Sequence, residues 1–194
     1  MNLGAFAARS VSTTPFPHFV VHDALGAESS SAFLRWLETD APWKLKIATF
    51  YQQYEFSLCD AVLPSAIQPF FNPSIVEALR LCVADSFRTT LASRHDITVH
   101  KLVPGQRIRI HNDYIAGQES HRVLVQLNRD WTDDKGGALL FFGSEDPGDI
   151  RKGFRPQHDS CVAFEISPKS HHAVTPVVQG ERYTLVYSFY RGEL

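Results

Sequence analysis

His111-Asn112-Asp113 places an imidazole and a carboxylate two positions apart. The triplet closes an alternating run, Arg107 to Ile110, that reads as a β-strand, and residues two apart on a strand face the same side. His111 and Asp113 can then address one point while Asn112 faces away. A hard carboxylate beside an imidazole suits Fe(II). A second histidine would complete a two-histidine, one-carboxylate set whose open face takes a chelating cosubstrate and O₂. Alone, such a triplet carries little information, because it often arises by chance.

The C-terminal stretch adds to it. His171 and His172 each offer an imidazole, and Arg182 follows His172 by ten positions on a predicted strand. A guanidinium at the floor of a barrel binds the distal carboxylate of a dicarboxylic acid bidentately. A metal could chelate the other end, a 2-oxo acid. Thr184 shares a strand face with Arg182 and could add a hydroxyl. His18, His22, His95, His100, His121 and His158 have no ligand spacing and read as surface or structural histidines. Cys59, Cys82 and Cys161 are odd in number and form no CxxC pair, so neither a disulfide framework nor a cysteine zinc site is supported.

The elements that must position these groups follow from periodicity. Residues 1–14 are small and polar, and a loose arm is expected. Residues 15–96 read as N-terminal strands and helices. Phe16 to Leu25 alternates as a strand. Ala27 to Thr39 carries Phe33, Leu34 and Leu37 on one helical face. Trp43 to Leu58 alternates, with Tyr54, Phe56 and Leu58 opposite Gln53, Glu55 and Ser57. Asn72-Pro73 is a helix start, with an asparagine cap and proline at the first helical position. Apolar residues at three- and four-residue steps, Ile75 to Leu91, extend that helix to about Arg94. From Ile97 the period becomes two. Strands are expected at 97–103, 107–113, 122–128, 138–142, 161–166 and 182–190, separated by Pro104-Gly105, the 133–137 segment and Asp146-Pro147-Gly148. Many short strands with regular turns indicate a sandwich or barrel. The fold expected is mainly β with flanking helices packed outside it.

The order and spacing of several pieces now match jointly. They are Gly105 ahead of His111 and Asp113; Leu127-Asn128 with Trp131; Gly136-Gly137 with Leu139; His172 with Val174, Pro176 and Val177; and Gly180 with Arg182-Tyr183. The stretch 97–190 resembles the prolyl-hydroxylase-like branch of the 2-oxoglutarate/Fe(II)-dependent dioxygenases. The opening Pro15 to Val21 also looks like the first strand of family members. The resemblance implies a double-stranded β-helix (jelly roll) core over 97–190. It implies Fe(II) on His111, Asp113 and His172, with His172 preferred to His171 by its offset to Val174 and Arg182. It implies 2-oxoglutarate on Arg182, O₂ as co-reactant, and hydroxylation of an unactivated C–H bond. Two places depart from the family, where many relatives carry tyrosines that touch the cosubstrate: Leu102 and Gln126. Gln126 can still hydrogen-bond it.

For substrate, the branch implies a peptidyl side chain, often proline. A free amino acid or a small biosynthetic intermediate is the alternative, and a non-catalytic jelly-roll binding or sensor protein is the rival from another class. Arg109, two residues before His111, is expected to face the mouth of the site and meet an acidic substrate group, with Glu119 as the other partner open to it. Arg122 is a second candidate for substrate contact. Nineteen Lys and Arg against twenty-one Asp and Glu give a net charge of −2, which argues against a nucleic-acid or anionic-membrane partner. The N-terminus has no apolar signal-like run, and the cysteine usage suggests a reduced, cytoplasmic setting.

Overall fold

The computed structural model describes residues 1–192, the side chain of Pro69 excepted. The elements are α1 (Leu3–Ala7), β1 (His18–Val21), α2 (Ala27–Thr39), β2 (Lys44–Ile47), β3 (Gln52–Ser57), α3 (Pro73–Phe87), β4 (Leu91–Leu102), β5 (Ile108–His111), β6 (Glu119–Gln126), β7 (Leu139–Phe142), β8 (Ile150–Phe154), β9 (Cys161–Glu165), β10 (His172–Val174) and β11 (Arg182–Arg191). They build two antiparallel sheets, ordered β1-β9-β6-β11-β4-β3-β2 and β5-β10-β7-β8. The two sheets make the jelly roll, with helices on the outer face of the larger one. Among the described residues no helix is long and apolar enough to cross a membrane.

Strand β11 shows how the layers are made. Tyr183, Leu185, Tyr187 and Phe189 point to the helix layer, where they pack with Phe33, Leu37, Leu79 and Val83. Val186, on the opposite face, joins Leu102, Leu124, Phe141 and Phe164 in the core between the sheets. The strand alternates accordingly: Tyr183, Leu185, Tyr187 and Phe189 line one face, and Arg182, Thr184, Val186 and Ser188 the other. Arg182 and Thr184, on the inter-sheet face, are therefore polar residues in an apolar place.

Helix α2 has the expected bounds. Helix α3 starts as expected, with Asn72 Oδ1 accepting from Ser74 N at 3.0 Å, but it ends at Phe87 rather than near Arg94. Arg88 adopts a left-handed conformation (φ 51°), and its N–H caps the carbonyls of Ala84 and Asp85. From Leu91 the backbone is taken up by pairing with β11. Leu91 continued the helical spacing, yet it is buried as a strand residue. β8 and β10 had no expectation of their own; β10 is only three residues long.

The N-terminal residues are packed rather than loose. Phe6, on α1, is fully buried and meets Phe19 edge-on at 6.3 Å. Arg9 reaches Asp85 at 2.9 Å and the Cys82 carbonyl at 2.8 Å. The small, polar composition concealed these two anchors.

Candidate active site

The small sheet brings two histidines together. On β10, His172 pairs in register with His111 of β5 on one side and Phe141 of β7 on the other. Their rings lie 4.2 Å apart. The Nδ1 atom of His172 sits 2.7 Å from the Ser170 carbonyl, and that of His111 sits 2.8 Å from the Arg109 carbonyl. A carbonyl only accepts, so each Nδ1 carries the proton and each Nε2 presents a lone pair. Both Nε2 atoms face Asp113 Oδ2, at 3.3 Å from His111 and 3.2 Å from His172. The three ligand atoms all lie within 4.8 Å of one another. His171 points elsewhere, as strand alternation requires, and lines an outer groove.

Asp113 arrives by a different route from the one expected. The strand ends at His111, and Asp113 has φ 56°. Asn112 turns the chain: its Oδ1 accepts from Tyr114 N at 3.0 Å, and its Nδ2 donates to the Pro168 carbonyl at 3.3 Å. A left-handed residue tolerated by aspartate, not strand alternation, aims this carboxylate.

Arg109 corrects another expectation. Its side chain is exposed and lines a separate surface groove with Arg107, away from the histidines. The cause is a β-bulge. Between the pairs His172↔His111 and Val174↔Ile108, β10 advances two residues and β5 advances three. Ile108 and His111 both face the interior, and Arg109 is turned out. What Arg109 gives the site is its backbone carbonyl.

Arg122 lines the interior cavity, but protein carboxylates occupy its guanidinium. It bridges Asp113 and Glu119, the latter at 2.6 Å. Glu119 thus pairs with Arg122 and not with Arg109. Burial lowers the Arg122 pKa, but the two carboxylates outweigh it and hold the group above its usual value. For Asp113, burial raises the pKa, and the adjacent Arg122 guanidinium outweighs it, so the carboxylate stays ionised well below its usual range. Burial pushes His172 down, which keeps it neutral. Two imidazoles and one carboxylate are the donor set that a divalent iron ion fits.

A cavity of about 180 Å³ runs from these residues into the fold. Its walls are apolar, with Leu102, Ile108, Leu124, Leu139, Val174 and Val186. Arg182 lines it too and is 3% exposed. Its Nε donates to the Gly137 carbonyl at 2.8 Å and its Nη1 to Thr184 Oγ at 2.7 Å. Thr184 in turn donates to Gln126 Oε1 at 3.1 Å. Gln126 therefore stands behind Thr184 and does not line the cavity. Among the described residues no carboxylate pairs with Arg182. Burial pulls its pKa down to about 10, so it remains a cation. A buried cation without a counter-charge is costly, and a small dicarboxylate supplies that charge. The residues present fit both iron and 2-oxoglutarate.

Sequence reasoning missed several contributors. Phe50, from the loop between β2 and β3, stacks on the His111 ring at 4.4 Å and 27°. Gln53 and His100 line the cavity. Gly137 shapes the Arg182 seat: it has φ +68°, and a Cβ there would lie 2.9 Å from Arg182 Cδ. The Gly136-Gly137 pair was a visible signal of a close approach; nothing in the local pattern marked Phe50 or His100.

Residues 97–190 match the model of the 2OG-Fe(II) oxygenase superfamily. The chain is 26% identical over 200 residues to prolyl 3-hydroxylase OGFOD1 of Xenopus laevis, covering 95% of this chain and 36% of that protein. It thus spans about a third of the length of that curated relative. The fold is similar to a Pseudomonas putida prolyl-4-hydroxylase (TM-score 0.74, 18% identity, 98% of this chain and 97% of that one). It is also similar to a Trichoplax adhaerens prolyl hydroxylase in complex with a hypoxia inducible factor peptide fragment (TM-score 0.66, 13% identity, 98% and 88%). Over residues 97–190 the chain is similar to the 2OG-Fe(II) oxygenase superfamily, which uses Fe(II), 2-oxoglutarate and O₂; the triad and the buried arginine fit that set, and the relatives named above are prolyl hydroxylases.

Proposed function

We propose that this chain is a hydroxylase that binds Fe(II) through His111, Asp113 and His172, holds 2-oxoglutarate on Arg182, and acts on a peptidyl side chain, proline first. One observation carries the reading: His111 and Asp113 line two different hollows. The inner one leads to Arg182. The outer one is an open surface groove with exposed Tyr114 and Ile115, Glu145 and His171. The ligand set is thus reached by a small dicarboxylate from inside and by a larger molecule from outside. An open groove edged by Tyr114 and Ile115 suits a peptide better than a small free acid, which calls for enclosure. The relatives named as prolyl hydroxylases support proline.

When bound, iron with 2-oxoglutarate and O₂ supplies the oxidising power for C–H hydroxylation, releasing succinate and CO₂. The residues of this chain supply geometry. Ser170 and Arg109, through their carbonyls, fix the histidine tautomers. Arg122 holds the Asp113 carboxylate ionised and aimed. Arg182, Thr184 and Gln126 form one hydrogen-bonded chain that seats the distal carboxylate. The apolar walls between the two ends exclude water. Phe50 covers the His111 ring where the two hollows meet.

The test is anaerobic addition of Fe(II) and then 2-oxoglutarate, followed by a screen of proline-containing peptides for a gain of one oxygen in mass. A visible charge-transfer band and an oxygenated proline are expected. No band with the parent, or an undiminished band with His172→Ala, would remove the metal assignment. A band with hydroxylation confined to free small acids would remove the peptidyl one.

A further inference from the structure

The polar lining of the cavity does not stop at Arg182. Thr184 of β11 pairs with Gln126 of β6 on one side and His100 of β4 on the other, and His100 pairs with Glu55 of β3. A row of four polar residues therefore crosses four adjacent strands of the large sheet. His100 and Gln53 line the same cavity as Arg182 and Thr184. Four polar groups together at the inner end of an otherwise apolar hollow are more than one arginine needs.

His100 is the member of the row with a ring nitrogen left over. Gln126 is engaged by Thr184. Glu55 takes the Lys46 ammonium at 2.7 Å and the Gln53 Nε2 at 2.7 Å. His100 meets one group, the Thr98 hydroxyl, 3.1 Å from its Nε2. Among the described residues its Nδ1 makes no hydrogen bond. Burial pulls the His100 pKa down to about 4; Arg122, Arg182 and Lys46 act in the same direction and Glu55 opposes them. The ring is neutral at pH 7. In the tautomer where the Thr98 hydroxyl donates to Nε2, the neutral imidazole carries its own proton on Nδ1. That tautomer presents an N–H donor to the cavity beside Thr184. Leu102, the next residue on that face of β4, offers no polar atom.

We propose that His100 is the second donor to the distal carboxylate of 2-oxoglutarate, beside Arg182, with Thr98 setting its tautomer. The inference rests on the reading of the cavity as the 2-oxoglutarate seat. It assigns to a histidine a contact that Leu102 cannot make and that Gln126 does not reach.

The experiment is calorimetric binding to the Fe(II)-loaded protein without O₂, so that no turnover is needed. Two acids are compared: 2-oxoglutarate and 2-oxopentanoate, which keeps the 2-oxo acid and lacks the distal carboxylate. His100→Ala is expected to weaken 2-oxoglutarate about tenfold, the worth of one hydrogen bond to a charged group, and to leave 2-oxopentanoate unchanged. His100→Asn, which keeps a donor, is expected to retain more affinity than His100→Ala. Thr98→Val keeps the strand shape and is expected to weaken 2-oxoglutarate alone, so it decides the matter if His100→Ala does not fold. Unchanged 2-oxoglutarate affinity, or equal losses for both acids, overturns the role of His100. Arg182→Ala separates the two levels. If it binds 2-oxoglutarate as well as the parent, or if the parent does not bind it, the reading of the cavity falls and the His100 role with it.

Discussion

Arg122 grips the one carboxylate oxygen of Asp113, Oδ2, that both histidine Nε2 atoms face. The same guanidinium ties down Glu119, so the proposed metal carboxylate is tethered through a cation to a second carboxylate. Groups that orient a metal ligand are typically worth ten- to hundred-fold in metal affinity. Arg122→Gln is expected to weaken Fe(II) binding by about tenfold, measured by anaerobic titration. Parent-like affinity would remove Arg122 from any positioning role.

The two adjacent glycines should respond differently. A Cβ on Gly136 would lie 2.1 Å from the Pro176 carbonyl oxygen, which is backbone, at φ +69°. A Cβ on Gly137 would press on the Arg182 side chain. Gly136→Ala is expected to cost about 3 kcal/mol or more in urea unfolding. Gly137→Ala is expected to cost less and to raise the KM for 2-oxoglutarate, because it displaces the guanidinium. Equal stability losses with an unchanged KM would refute the distinction.

Arg109→Ala tests the bulge. The side chain is exposed and the useful atom is the carbonyl, so stability is expected to stay within about 0.5 kcal/mol, with turnover unchanged. A large rise in substrate KM would mean that the peptide reaches across to the Arg107 and Arg109 surface.

The N-terminal helix should matter to stability. Phe6→Ala empties a fully buried aromatic position and is expected to cost about 3–5 kcal/mol, read from the urea midpoint. A loose arm would show no change.

Acid should destabilise the protein in a defined window. Burial holds His121 down at about 4, below its ordinary 6.5, with Arg191 adding to the shift. Between those values the unfolded chain binds the proton and the folded chain does not, so stability rises with pH. The histidine's full contribution is present above about pH 6.5, is lost as pH falls toward 4, and levels off below that. This group accounts for on the order of 3 kcal/mol across the window. His121→Gln is expected to flatten the pH dependence of urea unfolding there, and an unaltered slope would exclude it.

Local pattern revealed much of the fold and stopped at identifiable points. Period-two runs marked β6, β7, β9 and β11 because each is buried on at least one face. Helix α3 was overextended because Leu91 fits both periods, and only its pairing with β11 decides between them. Asp113 was expected on a strand from its spacing, while the geometry brings its carboxylate toward the histidines through a left-handed turn. Arg109 was misplaced by a one-residue bulge, which alternation cannot reveal. His100 looked structural because its neighbours on β3 and β11 are about 45 and 84 positions away.

The site is divided between two layers. His111 and His172 hang on the small sheet, and Arg182 hangs on the large one. The separation between the proposed metal seat and the guanidinium is therefore set by how far the inter-sheet core, Phe141, Phe164, Val162 and their neighbours, holds the two sheets apart. Those side chains act as a gauge block for the length of dicarboxylate that can bridge the two ends. Thinning the filling, as in Val162→Ala, is expected to alter selectivity between 2-oxoglutarate and its shorter or longer homologues while leaving iron affinity in place, from a position that touches neither ligand.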